Sequence, residues 1–391
     1  MYTEVDVMLI DFSVKNYRSI KDKVTLSLLA SPDTTHDEQL IIESKNRILP
    51  VVAVYGANAS GKSNLLSAIQ TMQDMVVGKS AQVLKNKKLP YDCFMFTEKQ
   101  ELPTEFEVFF YYQGIRYNYG FSYNEKEIIT EYLYHWPKGR EAMIFSREKN
   151  AYTFRENITE QETLAGRTPP NKLYLVTSNE WNLPQTESAY RWFNEKLPDP
   201  AEQDTPDITM SMEDEKTKIL KELLLADFGI TQYGVNESSN KPYVLMVHQV
   251  NEKDEPQQYP LPLEHESAGT QRFFSRIGPW IRTMQRGGIL IVDELDTSLH
   301  PLLTRRLVEM MQDPSINTQG AQLIFTTHNV MLLDLALLRR DQIWFTEKNP
   351  DTAATDLFSL WKFSPRKNEN IRKGYLQGRF GAIPFLGGDL S

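Results

Sequence analysis

The sequence predicts an α/β protein of two lobes, with an antiparallel β subdomain and a mainly helical insertion between them. Three observations carry that prediction. The run Val51-Val52-Ala53-Val54-Tyr55 is short, apolar and β-branched, as a strand covered on both faces should be, and it opens into a Gly-rich loop. A second apolar run, Ile289-Leu290-Ile291-Val292, ends in the two acids Asp293-Glu294. Between them, from about residue 104 to 156, aromatic and β-branched runs alternate with turn residues such as Gln113-Gly114 and Asn124-Glu125, the pattern of an antiparallel meander.

Each element follows in order. Phe12, Val14, Val24, Leu26 and Leu28 alternate as strands do. Leu65, Leu66, Ile69, Met72 and Val76 recur at helical spacing after the Gly-rich loop, giving strand, loop and helix in succession. Past the meander, Pro169-Pro170 leads into the mainly helical region, whose clearest helix spans about Asp214 to Asp227 and ends near Gly229. Strands are expected over Val244–Val250 and Gln258–Leu263. The α/β pattern then resumes with a helix bearing Phe273, Ile277, Trp280 and Met284, and a helix bearing Leu307, Met310 and Met311. Strands at Leu323–Phe325 and Ile343–Phe345 flank a further helix expected around Met331–Leu338. The lobes divide as 1–160, 161–260 for the insertion, and 261–391. No heptad pattern is sustained, so no coiled-coil arm is expected.

Composition sets limits. A chain of 391 residues buries more than one core, and 40% apolar with 24% charged residues is ordinary for a water-soluble protein. No run of eighteen apolar residues occurs and the first residues lack a basic leader, so neither a membrane span nor a secretion signal is expected. Cys93 is the only cysteine, which excludes an intramolecular disulfide and suits the cytoplasm. A net charge of −9 argues against a surface given over wholly to nucleic acid. The small cluster Lys85, Lys87 and Lys88 leaves local nucleic-acid contact open, although a solvated loop explains it more simply.

Gly56-Ala57-Asn58-Ala59-Ser60-Gly61-Lys62-Ser63 is a complete phosphate-binding loop, followed by Asn64. Gly56 and Gly61 let the backbone turn its N–H groups inward. Lys62 is placed for the β- and γ-phosphates of ATP, and the Ser63 hydroxyl for Mg²⁺. Asp293, at the end of an apolar strand, is placed to hold the Mg²⁺ shell, and Glu294 to polarise the attacking water. His328 lies just past another apolar strand, where open α/β sheets place ligands, and is a candidate for the γ-phosphate or the lytic water. A P-loop nucleoside triphosphatase, hydrolysing ATP to ADP and phosphate, is the reading these residues share.

Glu266-Ser267-Ala268-Gly269-Thr270-Gln271 supplies a second anion site. Ser267 reads as a helix N-cap and Gly269 as a point of close backbone approach. One nucleotide does not readily occupy two such sites on one chain, so the second is most simply used by a partner's γ-phosphate. Here the sequence resembles the ATP-binding-cassette heads of the SMC, RecF and RecN type, with their Ser-x-Gly-x-Glu/Gln motif. The resemblance extends to Asn16-Tyr17-Arg18-Ser19 near the start, to Asp293 through Pro301, and to Thr326-Thr327-His328-Asn329. It implies a homodimer closed on two ATP molecules, a role for Arg18 in positioning nucleotide, and a place for Asp296 at the dimer interface. Tyr375 to Pro384, with Asp341-Gln342-Ile343-Trp344-Phe345 before it, is similar to the RloA-like and AbiL-like ATPases of bacterial abortive-infection and anti-phage loci. That similarity implies a switch acting on a separate effector, a nuclease or toxin, through residues 160–260. Within the tail, Arg379 is open to a contact with nucleotide or partner.

One departure stands out: no glutamine occupies the expected loop around Pro90–Phe96, and Gln82 and Gln100 are poor substitutes. Two other classes are weighed against the switch. A RecF-like DNA-repair loader is disfavoured by the acidic balance. A nuclease of the overcoming-lysogenization type is disfavoured because the stretch after His328 carries no Asp-x-Asp or comparable two-metal cluster.

Overall fold

The structure is a computed structural model that describes residues 7–78, 88–97, 102–197, 205–226, 229–236, 242–252, 255–366 and 369–383. Strands β1 (Val7–Lys15), β2 (Val24–Ser27), β3 (Ile41–Glu43) and β4 (Asn46–Ile48) precede β5 (Val51–Tyr55), whose loop opens into helix α1 (Lys62–Val76). The meander follows as β6 (Thr104–Tyr112), β7 (Ile115–Tyr123), β8 (Ile128–His135), β9 (Ala142–Glu148) and β10 (Ala151–Phe154). Helices α2 (Ile158–Arg167), α3 (Tyr174–Glu180), α4 (Pro184–Lys196), α5 (Pro206–Ser211) and α6 (Lys216–Leu225) lead to β11 (Ile230–Asn236), β12 (Tyr243–Glu252) and β13 (Glu255–Pro262). The chain ends its described course through α7 (Ala268–Arg286), β14 (Ile289–Val292), α8 (Pro301–Gln312), β15 (Gln322–Thr326), β16 (Ile343–Lys348), β17 (Thr355–Ser359) and α9 (Ile371–Leu376).

Two sheets organise the molecule. The antiparallel sheet runs β10-β9-β8-β7-β6-β1-β2, so the opening strand is built into the later meander. The second sheet runs β14-β15-β5-β16-β17, parallel except for its last strand. In this order β15 is inserted between the strand that feeds the Gly-rich loop and the strand that ends in the acids. Register pairs Thr326 with Val54 and Phe325 with Val292, so the residues that follow β5, β14, β15 and β16 emerge along one edge. That edge is where open α/β sheets hold ligands.

Alternation along β5 connects the two cores. Side chains of successive strand residues point to opposite faces. Val52 and Val54 join a core with Leu65, Ile69 and Met72 of α1 and the aromatic face of the meander, including Phe106, Phe110 and Phe121. Val51, Ala53 and Tyr55 join the other core, with Phe273, Ile277 and Trp280 of α7 and Leu307 and Met311 of α8. A strand buried on both sides needs an unbroken apolar run, and β5 has one.

The stretch 161–260, expected as one mainly helical insertion, is divided between these cores. Helices α2 to α4 cover the meander, with Trp192 stacked on Phe110 at 4.3 Å between ring centroids. Residues of α6, β11 and β12 instead cover α7, where Tyr233 meets Phe274 edge-on at 5.4 Å. Half of that second portion is a three-stranded antiparallel sheet, β11-β12-β13. The helix expected over Met331–Leu338 is a single 3-10 turn, Val330–Leu332, followed by irregular turns. Local side-chain bonds explain the difference. The Asn329 side chain accepts from the Met331 N–H and Asp334 from the Ala336 N–H, giving the backbone alternatives to helical pairing. The helix expected over Asp214–Asp227 is α6 preceded by a 3-10 turn, Glu213–Glu215, and Asp227 lies outside the described residues.

Candidate functional site

The Gly-rich loop is packed so closely that two of its positions admit no side chain. A Cβ on Gly56 would fall 2.5 Å from the Thr346 carbonyl oxygen, and one on Gly61 would fall 2.2 Å from Thr355 Oγ1. Gly61 also has φ of 108°, a conformation that favours glycine, and it begins α1. Threonines fasten the loop from outside. Ser60 Oγ bonds Thr346 Oγ1 at 2.7 Å, and Thr355 Oγ1 donates to the Ser60 carbonyl at 2.9 Å. Asn58 and Ala59 are exposed at the loop's tip, Ala59 with φ of 61°. Ser63 is exposed at the second residue of α1.

Lys62 is buried, and its ammonium donates to the carbonyls of Gly56 at 2.9 Å and Ala57 at 3.0 Å. Burial pushes its pKa down, while the carboxylates Asp293, Glu294 and Asp296 oppose that shift, leaving a net lowering. The fold therefore brings these three acids to bear on the loop lysine.

Thr326 organises the acids. Its hydroxyl donates to Asp293 Oδ1 at 2.5 Å and accepts from the Glu294 N–H at 2.7 Å. Glu294 has φ of 49°, and its carboxylate accepts from Thr297 Oγ1 at 3.1 Å. Asp293 and Glu294 are both exposed. Asp296 accepts from Thr327 Oγ1 and from the His328 N–H at 3.3 Å, so the acid loop is tied to the His328 segment.

Around the loop lies a cavity of about 550 Å³, lined by Gly56, Ala57, Asn58, Ser60 and His328 on one side. Lys62, Ser63, Asp293, Glu294 and Asp296 do not line it, and neither do Ser267 and Gly269. Ser267 is exposed and caps α7, accepting from the Thr270 N–H at 3.1 Å. Gly269 presses on the acid loop: a Cβ there would fall 3.2 Å from the Ser298 carbonyl. The Arg18 guanidinium is held by Asp92 at 3.2 Å. The neighbour Ser19 bonds Thr355 Oγ1 at 2.7 Å and accepts from Asn64 Nδ2 at 2.7 Å.

A known protein family, described as "AAA domain, putative AbiEii toxin, Type IV TA system", matches residues 51–334, more than half of the chain. The chain belongs to this family. The match opens on β5 of this AAA domain and takes in the loop, the acids and His328. No curated protein matches the sequence. Among solved structures, the AAA domain chain is similar to an Smc head domain with an extended coiled coil, bound to the C-terminal domain of ScpA, from Pyrococcus furiosus. Identity is 13%, covering 92% of this chain and 98% of that one, with a TM-score of 0.44. It is also similar to the recombination mediator protein RecF with ATP, at 12% identity over 91% and 99% of the two chains, with a TM-score of 0.37.

Several residues of the AAA domain site escaped the sequence reading. Thr326 ends β15, Thr355 opens β17 and Thr346 lies within β16, and only the register of the sheet shows that they converge. Asp92, in the segment where a glutamine was sought, holds Arg18. Arg379 is held by Glu369 and lies over the Phe380 ring. Lys85, Lys87, Gln82, Gln100 and Pro384 lie outside the described residues, and Lys88 pairs with Glu125 at 2.7 Å. Among the described residues no helix is long and apolar enough to cross a membrane.

Proposed function

We propose that this chain is an ATP-hydrolysing switch of the cassette-head type, two copies of which close on two ATP molecules and open after hydrolysis. The single observation that carries the dimer is the placement of Ser267. It caps a long helix and stands exposed, its side chain bonded, among the described residues, only within its own first turn, to Thr270. A helix N-terminus so placed suits the terminal phosphate of a nucleotide held by a second copy.

Within one copy the chain's own groups have separate tasks. Lys62 exchanges its bonds to the loop carbonyls for the β- and γ-phosphate oxygens. Glu294 orients and polarises the attacking water, and the Glu294 N–H is fixed to Thr326 so that its position is set before nucleotide arrives. His328, facing the loop across the cavity, hydrogen-bonds the γ-phosphate or that water. Ser63 and Asp293 are the oxygens that would hold Mg²⁺, which when bound neutralises charge on the phosphates. Among the described residues no cluster of three His, Cys, Asp or Glu forms a metal cage. A hard cation shared with phosphates needs only one or two protein oxygens, so the donor set fits.

The output is read by a separate effector, a nuclease or toxin, in the cytoplasm. Leu224, Leu225, Val250 and Tyr259 expose large apolar surface on α6 and the β12–β13 hairpin, a surface suited to a partner. The anti-phage role is inferred from the resemblance of the tail, Tyr375 to Pro384, to abortive-infection ATPases. Hydrolysis rate against protein concentration tests the dimer. Ser267→Arg should abolish the concentration-dependent rate, while Glu294→Gln should accumulate an ATP-bound dimer in light scattering. Turnover per chain that is independent of concentration and untouched by Ser267→Arg would overturn the shared site.

A further inference from the structure

The cavity at the phosphate loop continues past β16, where its wall is made by Glu347, Lys348 and the C-terminal residues Leu376, Ala382 and Ile383. These residues lie beyond the family match, which ends at 334. The acids hang from β14, on the β15 side of the loop, and the cavity extends across the opposite flank. A nucleotide whose terminal phosphate meets the acids therefore sends its ribose and base toward the β16 end.

That wall is firmly built. Tyr375 stacks on Phe345 at 5.5 Å with an interplanar angle of 15°, and its hydroxyl donates to the Ala382 carbonyl at 3.1 Å. The Ala382 N–H in turn donates to Glu347 Oε1 at 3.1 Å. The other Glu347 oxygen accepts no hydrogen bond among the described residues, so it keeps acceptor capacity at the cavity wall. The same segment reaches the other end of the cavity, because Arg372 Nε donates to the Val330 carbonyl at 3.0 Å, two residues after His328.

We propose that residues 371–383 form the ribose-and-base wall of the nucleotide site, with Glu347 the acceptor for the ribose hydroxyls. This rests on the reading of the loop as a nucleotide site. The test titrates the full chain with Mg²⁺ and either ATP or inorganic triphosphate, by calorimetry. Glu347→Gln keeps an acceptor for the Ala382 N–H and replaces the second oxygen with a donor. It should weaken ATP about tenfold, the worth of one hydrogen bond to a charged group, and leave inorganic triphosphate within about twofold. A fluorophore on Leu376→Cys, an exposed position, should respond to ATP and not to inorganic triphosphate. Equal losses for both ligands, or no loss for either, would overturn the wall while leaving the loop as a phosphate site. If neither ligand binds the unaltered protein, the nucleotide reading falls and the wall with it.

Discussion

Two glutamates in this protein show how differently a fold treats an acid it uses to hold itself together and one it keeps available. Glu131, on β8, is fully buried and saturated. It accepts from Tyr119 Oη at 3.0 Å and from the N–H groups of Tyr174 and Leu175 at 2.6 and 2.9 Å, beside Arg147 at 3.5 Å. Its carboxylate caps α3, whose own N-cap residue Leu173 has no side chain able to do so. Burial raises its pKa, opposed first by Arg147 and then by those N–H groups and Tyr119. Glu294 is exposed and accepts one bond among the described residues, from Thr297. The first acid has spent its acceptor capacity on the fold, and the second has retained it at the sheet edge where open α/β folds hold ligands.

The contrast is sharpest under substitution. Glu294→Gln should lower ATP turnover by about 10²- to 10⁴-fold, the usual worth of a positioned general base, with the melting temperature unchanged. Glu131→Ala should do the reverse, costing about 3–5 kcal/mol of stability because buried Arg147 loses its counter-charge, keeping only carbonyl partners, and the Tyr174 and Leu175 N–H groups lose their acceptor. Turnover per folded molecule should then stay as it was. Urea unfolding and single-turnover hydrolysis on the same preparations separate the two. A stability loss at Glu294 of the size seen at Glu131 would erase the distinction.

A middle case is Asp33, an acid that joins distant parts of the chain. Arg340 donates to its Oδ2 at 2.9 and 2.6 Å, and Arg339 donates to its backbone carbonyl at 2.8 Å. Burial pushes its carboxyl up, but Arg340 and the Thr35 N–H and hydroxyl outweigh that and hold it at about 2. Because the folded value lies below the ordinary one, the stabilisation is present above about pH 4 and is lost as pH falls toward 2. It amounts to about 2 kcal/mol. Asp33→Asn should therefore be less stable than the unaltered protein at pH 6 and nearly equal to it at pH 2. A gap that persists at pH 2 would assign the effect to packing instead.

The contrast also explains what could be read from residues alone. Val51–Tyr55, the Gly-rich loop and Asp293-Glu294 were legible because their chemistry is contiguous in the chain, as was the meander with its period of two. Thr326, Thr355 and Ser19 were not. Each is an ordinary hydroxyl residue, and its meaning comes from pairings across up to 336 positions of sequence. The division of 161–260 between two cores was hidden for the same reason: an apolar helix face says that it must be covered but not by what. At Met331–Leu338 helical spacing of leucines was present, and Asn329 and Asp334 overrode it through their local bonds.

The smallest effect concerns an acid in an exposed surface pair. Asp92 is largely exposed and holds Arg18 at 3.2 Å. Such a pair contributes less than about 1 kcal/mol, so releasing it should hardly alter the melting temperature. Arg18 nonetheless sits beside Ser19, which is fastened to Thr355 and through it to the phosphate loop. Asp92→Ala frees the guanidinium for whatever anion the loop holds. If Arg18 positions nucleotide, ATP should bind about two- to fivefold more tightly to Asp92→Ala, since the competing partner is worth only some tenths of a kcal/mol. The gain should vanish in the double variant Arg18→Ala with Asp92→Ala. Unchanged affinity in Asp92→Ala would place Arg18 among the residues that serve the fold, alongside Arg147, and leave Ser19 as the link between the opening segment and the site.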